Sequence, residues 1–118
     1  MKLSILGTEY TIMKKKYDEE PYFAKYSADG FCDSVLHEIV YCDLSTYPGY
    51  ENESVEYAAL SEKETLRHEI VHAFLNESGL QNCAHTFDGP WSKDEEIVDW
   101  IAIQGPKIYA AWVEAGAV

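Results

Sequence analysis

The stretch TLRHEIVHAFLNESGL (65–80) decides the fold, because HEIV also occurs at 37–40, in LHEIVYCD (36–43), and only the second copy runs on to a histidine. Residues four apart share one face of a helix, whereas on a strand they lie about 13 Å apart. The flanks separate the two copies. GFCDSVLHEIVYCDL (30–44) is rich in β-branched and aromatic residues and lies between Asp29-Gly30 and Tyr47-Pro48-Gly49, which predicts a hairpin. Ser61-Glu62-Lys63-Glu64 reads as a capping box and Ser78-Gly79-Leu80 as a stop, so the second copy is expected inside a helix of about seventeen residues. On that helix Leu66, Ile70, Ala73 and Phe74 form one apolar stripe, and His68 and His72 point away from it.

Outward from the motif, KLSILGTEYTIMKKK (2–16) alternates about Gly7 and predicts an N-terminal hairpin. After the motif, a helix is expected from Ser92, with Ser92-x-x-Glu95 as a capping box. It is expected to break or kink at Gly105-Pro106 and to begin again with the proline at its first helical position. Trp91, Trp100 and Trp112 are expected to pack these helices on the sheet. The fold class is α+β: one domain over 1–118, with a small antiparallel sheet of two hairpins against the motif helix and the C-terminal helices.

The 118 residues are 47% hydrophobic and 14% aromatic, a composition that can bury a core. Twenty-one acidic against nine basic residues give a net charge of −12, which repels phosphate backbones and anionic lipid; no nucleic-acid or membrane partner is expected. With neither a signal peptide nor a membrane span in the sequence, the expected setting is cytoplasmic. Cys32, Cys42 and Cys83 are odd in number and widely spaced, so reduced thiols are expected rather than a disulfide framework.

Two imidazoles at i and i+4 on a helix can reach one tetrahedral zinc, and Glu69 between them can serve as a base. Zinc brings the pKa of a water to around 7, and a carboxylate alongside can take its proton and pass it to a leaving amine, which is peptide hydrolysis. A metzincin would need glycine at 75 and histidine at 78; Leu75 and Ser78 close that branch. For the third ligand, Glu95 is preferred over Glu96. It stands four residues before Asp99 on one helical face, so Asp99 can take a hydrogen bond from a liganding histidine. His85 is an alternative ligand, and His85, Tyr109 and His37 are candidate donors to the transition state. The strand at 37–43 is expected to offer a free edge to an extended substrate.

TLRHEIVHAFLNESGL followed by EEIVDWIAIQ resembles the small metallopeptidase-like proteins of phages and prophages related to the ImmA/IrrE group of zincins. The likeness extends to KLSILGTEY and GFCD. It implies a gluzincin-like arrangement in which His68, His72 and Glu95 hold zinc and Glu69 acts as base on a protein or peptide substrate. The larger relatives carry an E-x-x-A-N-like pattern where this chain has Val98 and Asp99, and they have further domains that are not expected within these 118 residues. A competing reading is an acidic binding or inhibitor protein with a structural zinc. Glu69 argues for the enzyme, because a structural site needs no carboxylate between its histidines. An acidic mimic of nucleic acid is a third reading.

Overall fold

In a computed structural model, residues 1–81, 89–116 and 118 are described, with the backbone alone at 111 and 112. Strands β1 (Lys2–Ile5) and β2 (Thr8–Lys15) form the first hairpin, turned at Leu6 and Gly7, both at positive φ as a tight two-residue turn requires. Strands β3 (Gly30–Asp33) and β4 (Glu38–Cys42) form the second. Both hairpins were expected, but their relation was not. The sheet order is β1-β2-β4-β3 and β2 pairs with β4 in parallel, so the sheet is mixed rather than antiparallel. The cause lies in the connection. A 3₁₀ turn at Tyr17–Glu19 and helix α1 (Pro21–Tyr26), started by Glu20 and Pro21, carry the chain across before β3 begins.

This topology places β4 in the centre, paired on both sides. The 37–43 segment is therefore not an edge and offers no backbone to a substrate. Alternation sends its neighbours Ile39 and Val40 to two separate core clusters. One unites Ile5, Tyr10, Ile12, Ile39 and Ala73, with Leu66 and Ile70 against it; the other unites Phe23, Val40, Cys42, Leu44 and Ala58.

The motif helix α2 spans Val55–Leu75, starting earlier than the sequence predicts. Ser54 caps it by accepting from the Tyr57 amide, so Ser61 falls inside the helix and its capping box is not used. The predicted stop falls in a wide turn at Asn76–Leu80, where Gly79 takes φ 84°. Helix α3 (Glu95–Glu114) runs through Pro106 without restarting. Proline lacks the N–H that would bond the Ala102 carbonyl four residues earlier, and Arg67 of α2 supplies the donor instead, Nε to oxygen 3.1 Å. α3 docks through small residues, Val98 and Ala102, both buried, while Trp91 and Trp100 are exposed rather than core. The side chain of Trp112 lies outside the described residues. Cys32 and Cys42 are free thiols, pushed up to about 12 and about 11 chiefly by burial; Cys83 lies outside the described residues. No described helix is long and apolar enough to cross a membrane.

Candidate metal centre

His68 and His72 stand one turn apart on α2, and the first turn of α3 faces them. That turn is capped by Asp94, whose Oδ1 accepts from the amides of Glu96 at 3.0 Å and Ile97 at 3.1 Å. The capping box at Ser92 therefore does not form, and the Glu95 side chain is released toward the histidines. Its two oxygens lie 3.0 Å from His68 Nε2 and 3.2 Å from His72 Nε2, and the two Nε2 atoms are 3.0 Å apart. A tetrahedral zinc with bonds of about 2.0–2.1 Å separates its donors by about 3.3–3.4 Å, so the three groups are close to the required triangle.

The other ring nitrogens decide the chemistry. His68 Nδ1 is 2.6 Å from Asp99 Oδ1, and His72 Nδ1 meets the Ser92 carbonyl oxygen. An ionised carboxylate and a carbonyl accept only, so each Nδ1 carries the proton. With Nδ1 committed on each ring, both Nε2 atoms face one point beside the Glu95 carboxylate, where a metal ion would meet all three groups.

Glu69 is 6% exposed, and its carboxylate makes no hydrogen bond among the described residues. With His68 and His72 it presents ligand-type atoms within 4.8 Å of one another. Burial first, with Glu95, Asp29 and Asp99 adding to it against the opposing pull of His68, pushes its carboxyl up to about 7. A divalent cation beside it would draw that value down again. The burial arises because β3 comes close at Gly30. A Cβ there would lie 2.7 Å from Thr65 Cγ2 and 3.3 Å from Glu69 Cγ.

The centre opens into a groove of about 960 Å³ between β3, α1, α2 and α3. The structure brings His68, Glu69, His72, Glu95 and Asp99 to it; Glu96, exposed on α3, does not line it, and His85 lies outside the described residues. His37 stacks on Tyr10 and lies 3.9 Å from Glu77, and Tyr109 is exposed on α3; neither lines the groove. Sequence reasoning missed Tyr22, Asp29, Gly30 and Ser92, which do line it. The only local signal among them was the Asp29-Gly30 pair, which reads as a turn. Against family models, curated proteins and solved structures, the chain finds no match.

Proposed function

We propose that this protein is a zinc-dependent endopeptidase of the H-E-x-x-H gluzincin type, with a minimal zincin-like fold. The observation that carries the reading is the anchoring of both Nδ1 atoms, on Asp99 and on the Ser92 carbonyl, which leaves both Nε2 atoms facing the Glu95 carboxylate. Two neutral imidazoles and a carboxylate suit zinc and leave a fourth position open. When bound, zinc supplies Lewis acidity toward a water and a carbonyl oxygen. Glu69, without a protein partner and facing the same groove, takes the proton of the attacking water and returns it to the leaving nitrogen. Asp99 and the Ser92 carbonyl hold the imidazoles in place. Among the described residues β3 pairs with β4 alone, so the free edge beside the groove is β3, and an extended peptide can lie along it.

The test is metal content together with turnover. Protein purified from zinc-replete cells should carry one zinc per chain; His68→Ala and His72→Ala should lose it. Glu69→Gln should keep the metal and the fold while losing cleavage of a denatured protein substrate. Metal-free wild-type protein would sink the reading. Zinc retained without turnover in the wild type would turn it toward a zinc-clamped binding protein.

A further inference from the structure

The two flanks of α2 border two different openings. Thr65, His68, Glu69 and His72 line the groove of the metal centre, whereas Arg67, Ile70, Val71 and Phe74 line a second cleft of about 250 Å³ on the other side of the α2–α3 seam. Ala102 alone of the described residues borders both. From α3 the cleft also takes Ile101, Gly105 and Pro106. Phe74 and Ile101 are exposed although both are large and apolar, and a side chain added at Gly105 would meet nothing within 4 Å. The cleft is therefore open space rather than core.

One charge stands in this apolar setting. Arg67, the only arginine of the chain, is half-buried and is the one polar side chain among the described lining residues. Its Nε is engaged by the Ala102 carbonyl at 3.1 Å, and that bond fixes the direction of the guanidinium. Its two terminal nitrogens have no hydrogen-bond partner among the described residues, and no described carboxylate lies within ion-pair distance, in a chain with twenty-one acids. An arginine held in place with its fork unused suits a carboxylate, which two parallel N–H bonds can grip end-on. Because the clip to Ala102 has already ordered the long side chain, a ligand need not do so.

The walls decide the rest of the ligand. Both are helix, with amides and carbonyls bonded within α2 and α3, and the carbonyl that Pro106 leaves over is the one Arg67 takes. A peptide laid here would bury amides without partners, whereas a hydrocarbon or aryl tail has none to satisfy. Between Arg67 and Phe74 α2 rises about 10 Å, the reach of a carboxylate with a chain of about eight carbons. The volume lies below the ~300–1,000 Å³ of sites for drug-sized ligands, which limits the tail to one short chain or one ring. The net charge of −12 opposes an anion at a distance. At physiological salt that field is screened beyond about 8 Å, and the contact with Arg67 decides.

We propose that this cleft binds a small monocarboxylate with an apolar tail, its carboxylate on the terminal nitrogens of Arg67 and its tail along Ile70, Val71 and Phe74. The site is separate from the metal centre, and the proposal stands whether or not the groove cleaves peptides.

The test titrates octanoate into the full chain at physiological salt while the methyl resonances of Ile70, Val71 and Ile101 are followed by NMR. They should shift and saturate at millimolar octanoate or below. Read at these methyls, octanoate should bind at least about ten-fold more tightly than octylammonium, which has the same tail and the opposite charge. Arg67→Met should lose that preference. Gly105→Leu should abolish binding while the melting temperature holds or rises, because leucine is the better helix former. No saturable shift, equal binding of the two ligands, or shifts confined to other methyls would each overturn the proposal. So would a preference retained in Arg67→Met, or binding retained in Gly105→Leu. Should Arg67→Met fail to fold, the two ligands on the wild type together with Gly105→Leu decide alone. A peptide ending in leucine that binds ten-fold more tightly than octanoate would make the cleft a peptide site and also overturn the assignment.

Discussion

His68 is committed at both ends, to Asp99 through Nδ1 and to the shared point through Nε2, so its tautomer depends on a single neighbour. Asp99→Asn replaces an acceptor-only group by one that can also donate, and it should weaken zinc by about 10–100-fold without unfolding the chain, as competition with a chelating dye would show. Glu95→Ala should cost far more zinc than Glu96→Ala; the opposite order would move the ligand to Glu96. The Glu95 and Asp99 placements were legible because both follow from helical spacing, which is a local property. The hold of Ser92 on His72 was not, since any backbone carbonyl can accept and only the path of the chain decides which one arrives. Nor was the burial of Glu69, which comes from a glycine on a distant strand.

At the scale of elements, two side-chain clips join pieces that regular hydrogen bonding leaves apart. Arg67 fills the carbonyl that Pro106 cannot serve and so joins α2 to α3. Arg67→Met should cost about 1–2 kcal/mol in urea melts. In Pro106→Ala, where α3 regains its own donor, the same change should cost less, so the double-mutant cycle should not be additive. Glu77 is the second clip, accepting from Thr8 Oγ1 and the Tyr10 hydroxyl at 2.8 Å each, and it fixes the turn after α2 to the first hairpin. Those bonds hold its carboxyl below the usual range. The stabilisation is thus full above the ordinary carboxyl pKa and is lost as pH falls through the lower, folded value. Glu77→Gln should therefore melt earlier than wild type at pH 7, with the gap closing toward pH 3. An unchanged gap would remove the clip from the acid response. The start of α2 misled sequence reading because a capping box is a pattern of four residues, while Ser54 and the helix-forming VEYAAL behind it extend the helix from upstream. α1 was invisible because its six residues are too few to show a period.

For the whole molecule, the α+β class and both hairpins could be read from alternation, but the parallel seam could not. Periodicity says which residues form strands and is silent about which strands meet. The exposed Trp100 shows the same gap, since its face depends on which side of α3 meets α2. The seam bears on how the protein acquires its shape. Each hairpin closes locally, whereas Ile12 finds Ile39 only after the chain between them has been ordered, so joining the seam should limit folding. In stopped-flow refolding, Ile39→Val should slow folding by a larger share of its stability loss than Ile5→Val, and equal shares would place the slow step elsewhere. During synthesis, β2 emerges with one flank unpaired and stays so until residue 42 has left the ribosome. In that interval the first hairpin is a template for other nascent chains. Lys14, Lys15 and Lys16 lie at the end of the open flank, where their like charges keep a second copy from adding to it.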